Sequence, residues 1–226
     1  MWRTSSSRGG VDVFTASAAW VAGSFAAGSV PFGWITGRFR GIDVRKAGSG
    51  NIGATNVFRT VGPRWGFLAL ACDVLKGLLP VAFARGSCAA SGWEALPLAC
   101  GAAAVAGHMF SPFMKFRGGK GVATAAGMLA ALAPVLTAAA FLVFAAVFAA
   151  TNYISLSSCT AAAFLAAATW VPRLPLAGPR APLAQCVMIT AIAVFVVWKH
   201  RSNIARLLAG TESKIYLTRR GREGRK

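Results

Sequence analysis

The chain has 226 residues, 56% of them hydrophobic and only 13% charged, with a mean hydropathy of +0.58. Globular chains usually carry about 25% charged residues, so a soluble domain of this size would have to cover its core with half the normal charged surface; the composition excludes that class and points to a membrane protein. The charge is lopsided, 24 Lys and Arg against six acids for a net +18, so the expected partners are anions.

A nucleic-acid binder would gather its cations on one soluble face. Here they punctuate apolar runs, as in the loops of a multispanning protein that holds Lys and Arg on the cytoplasmic side, and no nucleic acid is expected. The runs occupy roughly 13–37, 65–84, 94–112, 121–150, 155–171 and 181–198. A hydrocarbon core of about 30 Å takes about 20 helical residues, so most are single spans. The fourth would form a helix of about 45 Å, and Ala133-Pro134 interrupts it, since proline removes a helical hydrogen bond and disfavours helix at the residue before it.

Charge decides how that run counts. The segments 38–64, 113–120 and the tail beyond Trp198 are each rich in Lys and Arg and should face the cytoplasm. The shared sidedness of the last two requires an even number of spans between them, so the long run is expected to be two short helices turning near Pro134. The fold expected is all-α and polytopic, with seven transmembrane helices, the N-terminus outside and the C-terminus cytoplasmic. Residues 1–12 read as a flexible extension, 13–212 as a single membrane-embedded domain and 213–226 as a basic tail suited to anionic lipid.

Asp12, Asp43, Asp73, Glu94, Glu212 and Glu223 lie far apart in sequence, which leaves no adjacent carboxylate pair for two-metal or glycosidase chemistry. Cysteines 72, 88, 100, 159 and 186 form no C-x-x-C pair and read as small core hydrophobes. No metal site and no cofactor is expected.

Four polar islands interrupt the apolar runs, all expected at one membrane face. In Ser49 to Arg59, S-G-N-I-G-A-T-N-V-F-R, glycines at 48, 50 and 53 permit positive φ and can turn successive N–H groups into an anion-binding nest. Ser49, Gly50, Asn51, Thr55, Asn56 and Arg59 are the candidate phosphate ligands, although the same residues also make an ordinary turn between helices. In the second island, Gly107 to Thr124, the segment Gly118-Gly119-Lys120-Gly121 combines a flexible backbone, an ammonium and a following helix N-terminus, which favours anions. It lacks the glycine spacing and the Ser/Thr of a nucleotide-binding Walker loop. His108 stands beside it as a candidate base or ligand, or as a satisfied structural histidine.

The third island, Thr151 to Ser158, is rich in hydroxyls that can bond a polyol or cap the next helix. In the fourth, Lys199 to Glu212, His200 and Asn203 are three apart and so expected on one helical face. Asp73 and Lys76 fall inside the 65–84 run, where ionisable groups are costly unless paired. At i, i+3 they can neutralise each other, as a structural pair or in support of the site.

Gly28-Ser29-Val30-Pro31, Ser49 to Arg59, Asp73 to Gly77, Gly107 to Thr124 and His200 to Leu207 closely resemble, in order and over nearly the whole chain, the PlsY-type bacterial glycerol-3-phosphate acyltransferases. The resemblance implies acyl transfer from acyl phosphate to the 1-hydroxyl of glycerol 3-phosphate, giving lysophosphatidate and inorganic phosphate, as the first acylation of phospholipid synthesis. It implies that Ser49, Arg59, Lys120 and the glycines beside Lys120 bind phosphate, and that Ser155, His200 and Asn203 orient glycerol 3-phosphate, with Ser155 preferred over Ser158. It also implies the bacterial cytoplasmic membrane, with the active site on the cytoplasmic face. Substrates and membrane lipids are the partners, and no obligate protein partner is expected. The H-x-x-x-x-D signature of other glycerolipid acyltransferases is absent at both histidines. The rival reading is a transporter or channel for phosphate or an organophosphate, against which stands the lack of an internal repeat.

Overall fold

The computed structural model describes residues 7–91, 93–171 and 182–216. Its described elements are all helical and fall into two compact units, divided between Leu132 and Ala133. The first unit contains α1 (Ser7–Ser29), α2 (Phe32–Phe39), α3 (Ala54–Thr60), α4 (Pro63–Ser91), α5 (Leu96–Met109), a 3-10 turn (Pro112–Met114) and α6 (Val122–Leu132). The second contains α7 (Pro134–Thr151), α8 (Ile154–Ala168), α9 (Leu183–Lys199) and α10 (Arg201–Leu208).

Proline sets the main breaks. The long run divides at Ala133, which takes φ −143° and ψ 69° ahead of Pro134, because the ring of a following proline disfavours the helical region. The same effect splits the first run at Val30-Pro31, between α1 and α2. There the carbonyls of Ser29 and Val30 lose their helical partners. Ser111 Oγ donates to Ser29 O at 2.6 Å and Lys76 Nζ to Val30 O at 2.8 Å, so two residues distant in sequence close the end of α1.

Within the first unit α1 packs on α5, and α4 on α5 and α6. Gly28 lies against the Ala104 carbonyl and Gly107 against that of Phe25, while Gly77 meets the Thr124 carbonyl and Gly127 that of Val74. A Cβ at any of the four would overlap main chain. Close crossings over small residues are how membrane helices gain packing without a hydrophobic drive between them. Under the segment that joins α2 to α3, Val44, Ile52, Val57, Ala69 and Met114 form a small core bordered by Trp34 and Trp65. In the second unit α8 packs on α7 and α9, with α10 against α8 and α9. Phe144 stacks on Phe141 and Phe148 along α7. Phe141 and Leu142 are exposed, an apolar face suited to lipid.

Four stretches among the described residues are long and apolar enough to cross a bilayer: Val13–Phe39, Pro63–Ser87, Leu96–Met114 and Pro134–Thr151. The pair α9 and α10, bent by 54°, makes a fifth. The count of seven also needs α6 and α8, which have 11 and 15 residues and reach only about 16 and 22 Å. α1 begins at Ser7, inside the stretch expected to be flexible, and residues 1–6 lie outside the described residues. Of the expected basic tail, 213–216 are described and 217–226 are not.

Candidate active site

In the first unit the island from Ser49 to Arg59 wraps around one side chain. Asn56 is 1% exposed. Its Oδ1 accepts from Ser49 N at 2.9 Å, and its Nδ2 donates to the carbonyls of Val44 (2.8 Å), Ala47 (3.0 Å) and Asn51 (2.9 Å). Gly48 takes φ +58°, with Asn56 Oδ1 where a Cβ would stand. Asn51 Oδ1 accepts from Gly53 N at 2.8 Å. Asn56 therefore lies beneath the loop and holds it, and its amide is committed to main chain. Ser49 and Gly50 are exposed, and Asn51, Thr55 and Arg59 are half-buried. Nearby, Asp43 pairs with Arg45 through Nε at 2.9 Å and Nη2 at 2.7 Å. These hydrogen bonds hold the Asp43 carboxyl well below the usual carboxylate range and push Arg45 up.

The second island also folds back on the protein. Lys115 and Phe116 adopt φ +51° and +59°, which turns the chain so that Gly118 rests on the His108 carbonyl and Gly119 on the imidazole. Gly119 N donates to His108 O at 3.1 Å. Gly121, at φ +84°, lies over the Met109 side chain, and α6 starts at the next residue, as the sequence led us to expect. Lys120 is half-buried within this turn. His108 is itself buried, at 5% exposure, with Nδ1 3.6 Å from Asp73 Oδ1. Asp73 and Lys76 form the i, i+3 pair at 2.8 Å.

The second unit gathers its polar residues around a carboxylate that sequence reasoning passed over. Glu212 Oε1 accepts from Ser155 Oγ at 2.9 Å and from Asn203 Nδ2 at 2.6 Å, and Oε2 accepts from Arg206 Nε at 2.7 Å. Its side chain is 2% exposed. Burial alone would raise its pKa, but the hydrogen bonds from Asn203, Arg206 and Ser155 outweigh that and hold it below the ordinary value. The signal available in the sequence was an acid alone at the end of a basic stretch.

His200 lies one turn before Asn203, as its spacing suggested, but just outside α10 itself. It occupies the bend, ending α9 and preceding α10, with Nδ1 2.8 Å from Val196 O. A carbonyl can only accept, so Nδ1 carries a proton and Nε2 is the basic nitrogen of the neutral ring. His200 and Asn203 are both buried, and Asn203 N donates to His200 O at 2.8 Å. The hydroxyl island does not cap α8: its N-cap is Tyr153, with no side-chain cap bond. The serines lie inside the helix instead. Ser157 and Ser158 bond back to the carbonyls of Tyr153 and Ile154 at 2.8 Å, and only Ser155 turns to Glu212.

The sequence model of the family described as glycerol-3-phosphate acyltransferase matches residues 18–210. The chain belongs to this family. A glycerol-3-phosphate acyltransferase of Trichlorobacter lovleyi is 48% identical over 207 residues, 89% of this chain and 98% of that one. The Geobacter sulfurreducens protein of the same name is 45% identical over 192 residues, covering 85% and 94%. Among solved structures, the chain is similar to the crystal structure of PlsY, an integral membrane glycerol 3-phosphate acyltransferase, in its glycerol 3-phosphate form. That match has a TM-score of 0.79 and 35% identity, covering 89% of this chain and 96% of that one. The lysophosphatidic acid form of the same protein matches with a TM-score of 0.77. This family member is thus an acyltransferase and a membrane protein.

Proposed function

We propose that this acyltransferase moves a fatty acyl group from acyl phosphate to the 1-hydroxyl of sn-glycerol 3-phosphate. The products are 1-acylglycerol 3-phosphate and inorganic phosphate. The observation that carries the reading is the glycine loop, which sets Lys120 two residues ahead of the start of α6, a backbone arrangement suited to phosphate. The relatives' names and the glycerol 3-phosphate form of the similar structure support the acceptor.

Acyl phosphate is a mixed anhydride with a good leaving group, so the reaction requires neither a covalent enzyme nucleophile nor a metal. The acceptor hydroxyl attacks the acyl carbon, the bond from that carbon to the phosphate oxygen breaks, and the hydroxyl proton passes to His200 Nε2 or to a phosphate oxygen. The protein supplies preorganised cationic and N–H binding for two phosphate groups and holds the acceptor close. In this reading Ser49, Gly50, Asn51, Thr55, Arg59, Gly118, Gly119, Lys120 and Gly121 bind phosphate, while Ser155, His200 and Asn203 orient glycerol 3-phosphate. The enzyme lies in the bacterial cytoplasmic membrane as one catalytic domain over 13–212. It has seven membrane helices, counting α6 and α8, with the N-terminus outside, the C-terminus inside and the Lys- and Arg-rich segments cytoplasmic by the positive-inside rule.

The test is to incubate purified protein with acyl phosphate and glycerol 3-phosphate in the presence of a chelator. Lysophosphatidate should form together with phosphate, and phosphate release without it would defeat the reading. His200→Ala sets the role of the imidazole: a rate loss under about tenfold, roughly 1.4 kcal/mol, excludes it as an essential base.

A further inference from the structure

The first unit contains a chain of buried polar groups to which the reaction above gives no task. It starts at the broken end of α1, where Lys76 Nζ holds Val30 O, and passes to Asp73 at 2.8 Å and on to His108 Nδ1 at 3.6 Å. Each of its side chains is nearly inaccessible: Asp73 is 2% exposed, Lys76 6% and His108 5%. The imidazole has two polar edges, one facing Asp73 and the other, Nε2, lying against Gly119 with no room for a methyl group. The His108 main chain meets the same loop, accepting from Gly119 N and packing on Gly118. A ring so enclosed is placed to steady the loop.

The loop needs steadying. Lys115 and Phe116 both sit in the left-handed region, which costs energy for residues with a Cβ, and such conformations persist where the surroundings hold them. We propose that Asp73 and His108 are positioning residues for the glycine loop. Asp73 fixes the imidazole, the imidazole fixes Gly119, and Gly119 sets Lys120, so that His108 governs phosphate binding without touching substrate. The proposal rests on the reading of that loop as a phosphate site. The Asp73–Lys76 ion pair that holds the carboxylate beside the ring is buried, in low dielectric, where it counts for more than in water.

The test combines steady-state kinetics with calorimetric binding of glycerol 3-phosphate to the full chain in detergent. His108→Ala should raise KM for a phosphate-bearing substrate by about tenfold or more and leave kcat within about threefold, the pattern of lost ground-state binding. His108→Phe, which refills the space against Gly119, should bring KM back to within about threefold of wild type. Asp73→Asn should raise KM in the wild-type background and have no further effect in the His108→Phe background, because its influence runs through the ring.

An unchanged KM in His108→Ala would overturn the proposal, as would a loss of about a hundredfold confined to kcat, which would put the imidazole at the reacting atoms. Additive effects of Asp73→Asn and His108→Phe would overturn the link between them. If His108→Ala does not fold, Gly119→Ala presses on the same contact from the loop side and must produce the same KM rise. Wild-type protein that binds no glycerol 3-phosphate would overturn the functional reading together with the proposal, a result distinct from any change limited to the variants.

Discussion

In the first unit the loop from Val44 to Asn51 hangs on the uncharged amide of Asn56, whereas in the second unit Ser155, Asn203 and Arg206 hang on the buried carboxylate of Glu212. The amide organises main chain and itself takes the Ser49 N–H, so what it offers a ligand is the loop's side chains, Ser49, Thr55 and Arg59, held in place. The carboxylate organises side chains, and two of the three it holds, Ser155 and Asn203, are themselves candidates for orienting the acceptor. The two arrangements suit their proposed ligands. Phosphate is symmetric and charged, and hydroxyl and cationic side chains presented by a fixed loop recognise it. A single hydroxyl of a small polyol has to be held in one orientation, which takes individual side chains with fixed rotamers.

The contrast predicts unequal fragility. Glu212→Ala should be the most damaging substitution, since it removes the common acceptor of three donors and leaves the Arg206 cation without its partner. A loss of about 3 kcal/mol is expected, at the low end for breaking a buried pair because Arg206 is 39% exposed. Acyltransferase activity should fall with stability, as measured by thermal unfolding in detergent. Glu212→Gln, which keeps an acceptor for Ser155 and Asn203, should recover part of both. If Glu212→Ala proved no worse than loss of a single hydroxyl, the carboxylate would not be the organiser of this region. Asn56→Ala ranks next, at about 2 kcal/mol. Four hydrogen bonds are lost at about 1 kcal/mol each, and water can replace some of them in an exposed loop. Its kinetic signature should be a raised KM for a phosphate-bearing substrate.

Sequence gave access to these two regions unequally. The glycine loop, the start of α6 beside it and the break at Ala133 were all legible, because glycine and proline act on the main chain within one or two residues of themselves. The role of Glu212 was hidden: Ser155 is 57 residues from it and comes near only through packing. Asn56 was recognised as part of a polar loop but assigned to the ligand, because a sequence does not show which side of a loop faces inward. The spacing put His200 and Asn203 one turn apart, and they are, but the bend that makes His200 the N-cap of α10 left no signal in the spacing. The short α6 was expected as a span because parity counts crossings and is blind to helix length, and α8 because its apolar run, 155–171, read as a single span.

The charge on the second unit's organiser offers a pH test that the first unit's amide lacks. The folded-state pKa of Glu212 is lowered from 4.5, so its contribution to stability is complete above that value and is lost as pH falls below it, through the lowered value. Between neutrality and about pH 5 this group should leave the unfolding temperature unchanged, and below about pH 4 the wild type should lose its advantage over Glu212→Gln. Parallel melting curves for the two proteins down to about pH 3 would show that the carboxylate is not held in its charged form by these donors. Asn56→Ala should show no such convergence with wild type.

The smallest expected effect separates two neighbouring hydroxyls on α8. Ser155 and Ser158 lie one turn apart and are both buried, at 4% and 3% exposure, so burial gives no reason to prefer either. Their partners differ. Ser158 Oγ bonds only to the carbonyl of Ile154 within its own helix, a local bond whose loss costs little since that carbonyl keeps its helical partner. Ser155 Oγ reaches Glu212, so Ser155→Ala removes one of three donors from a buried carboxylate and should cost about 1 kcal/mol, while Ser158→Ala stays within about 0.5 kcal/mol. In the Glu212→Gln background the cost of Ser155→Ala should change and that of Ser158→Ala should not, because only contacting residues couple. Equal costs for both serines in both backgrounds would mean that Ser155 contributes no more through Glu212 than Ser158 does through its own helix.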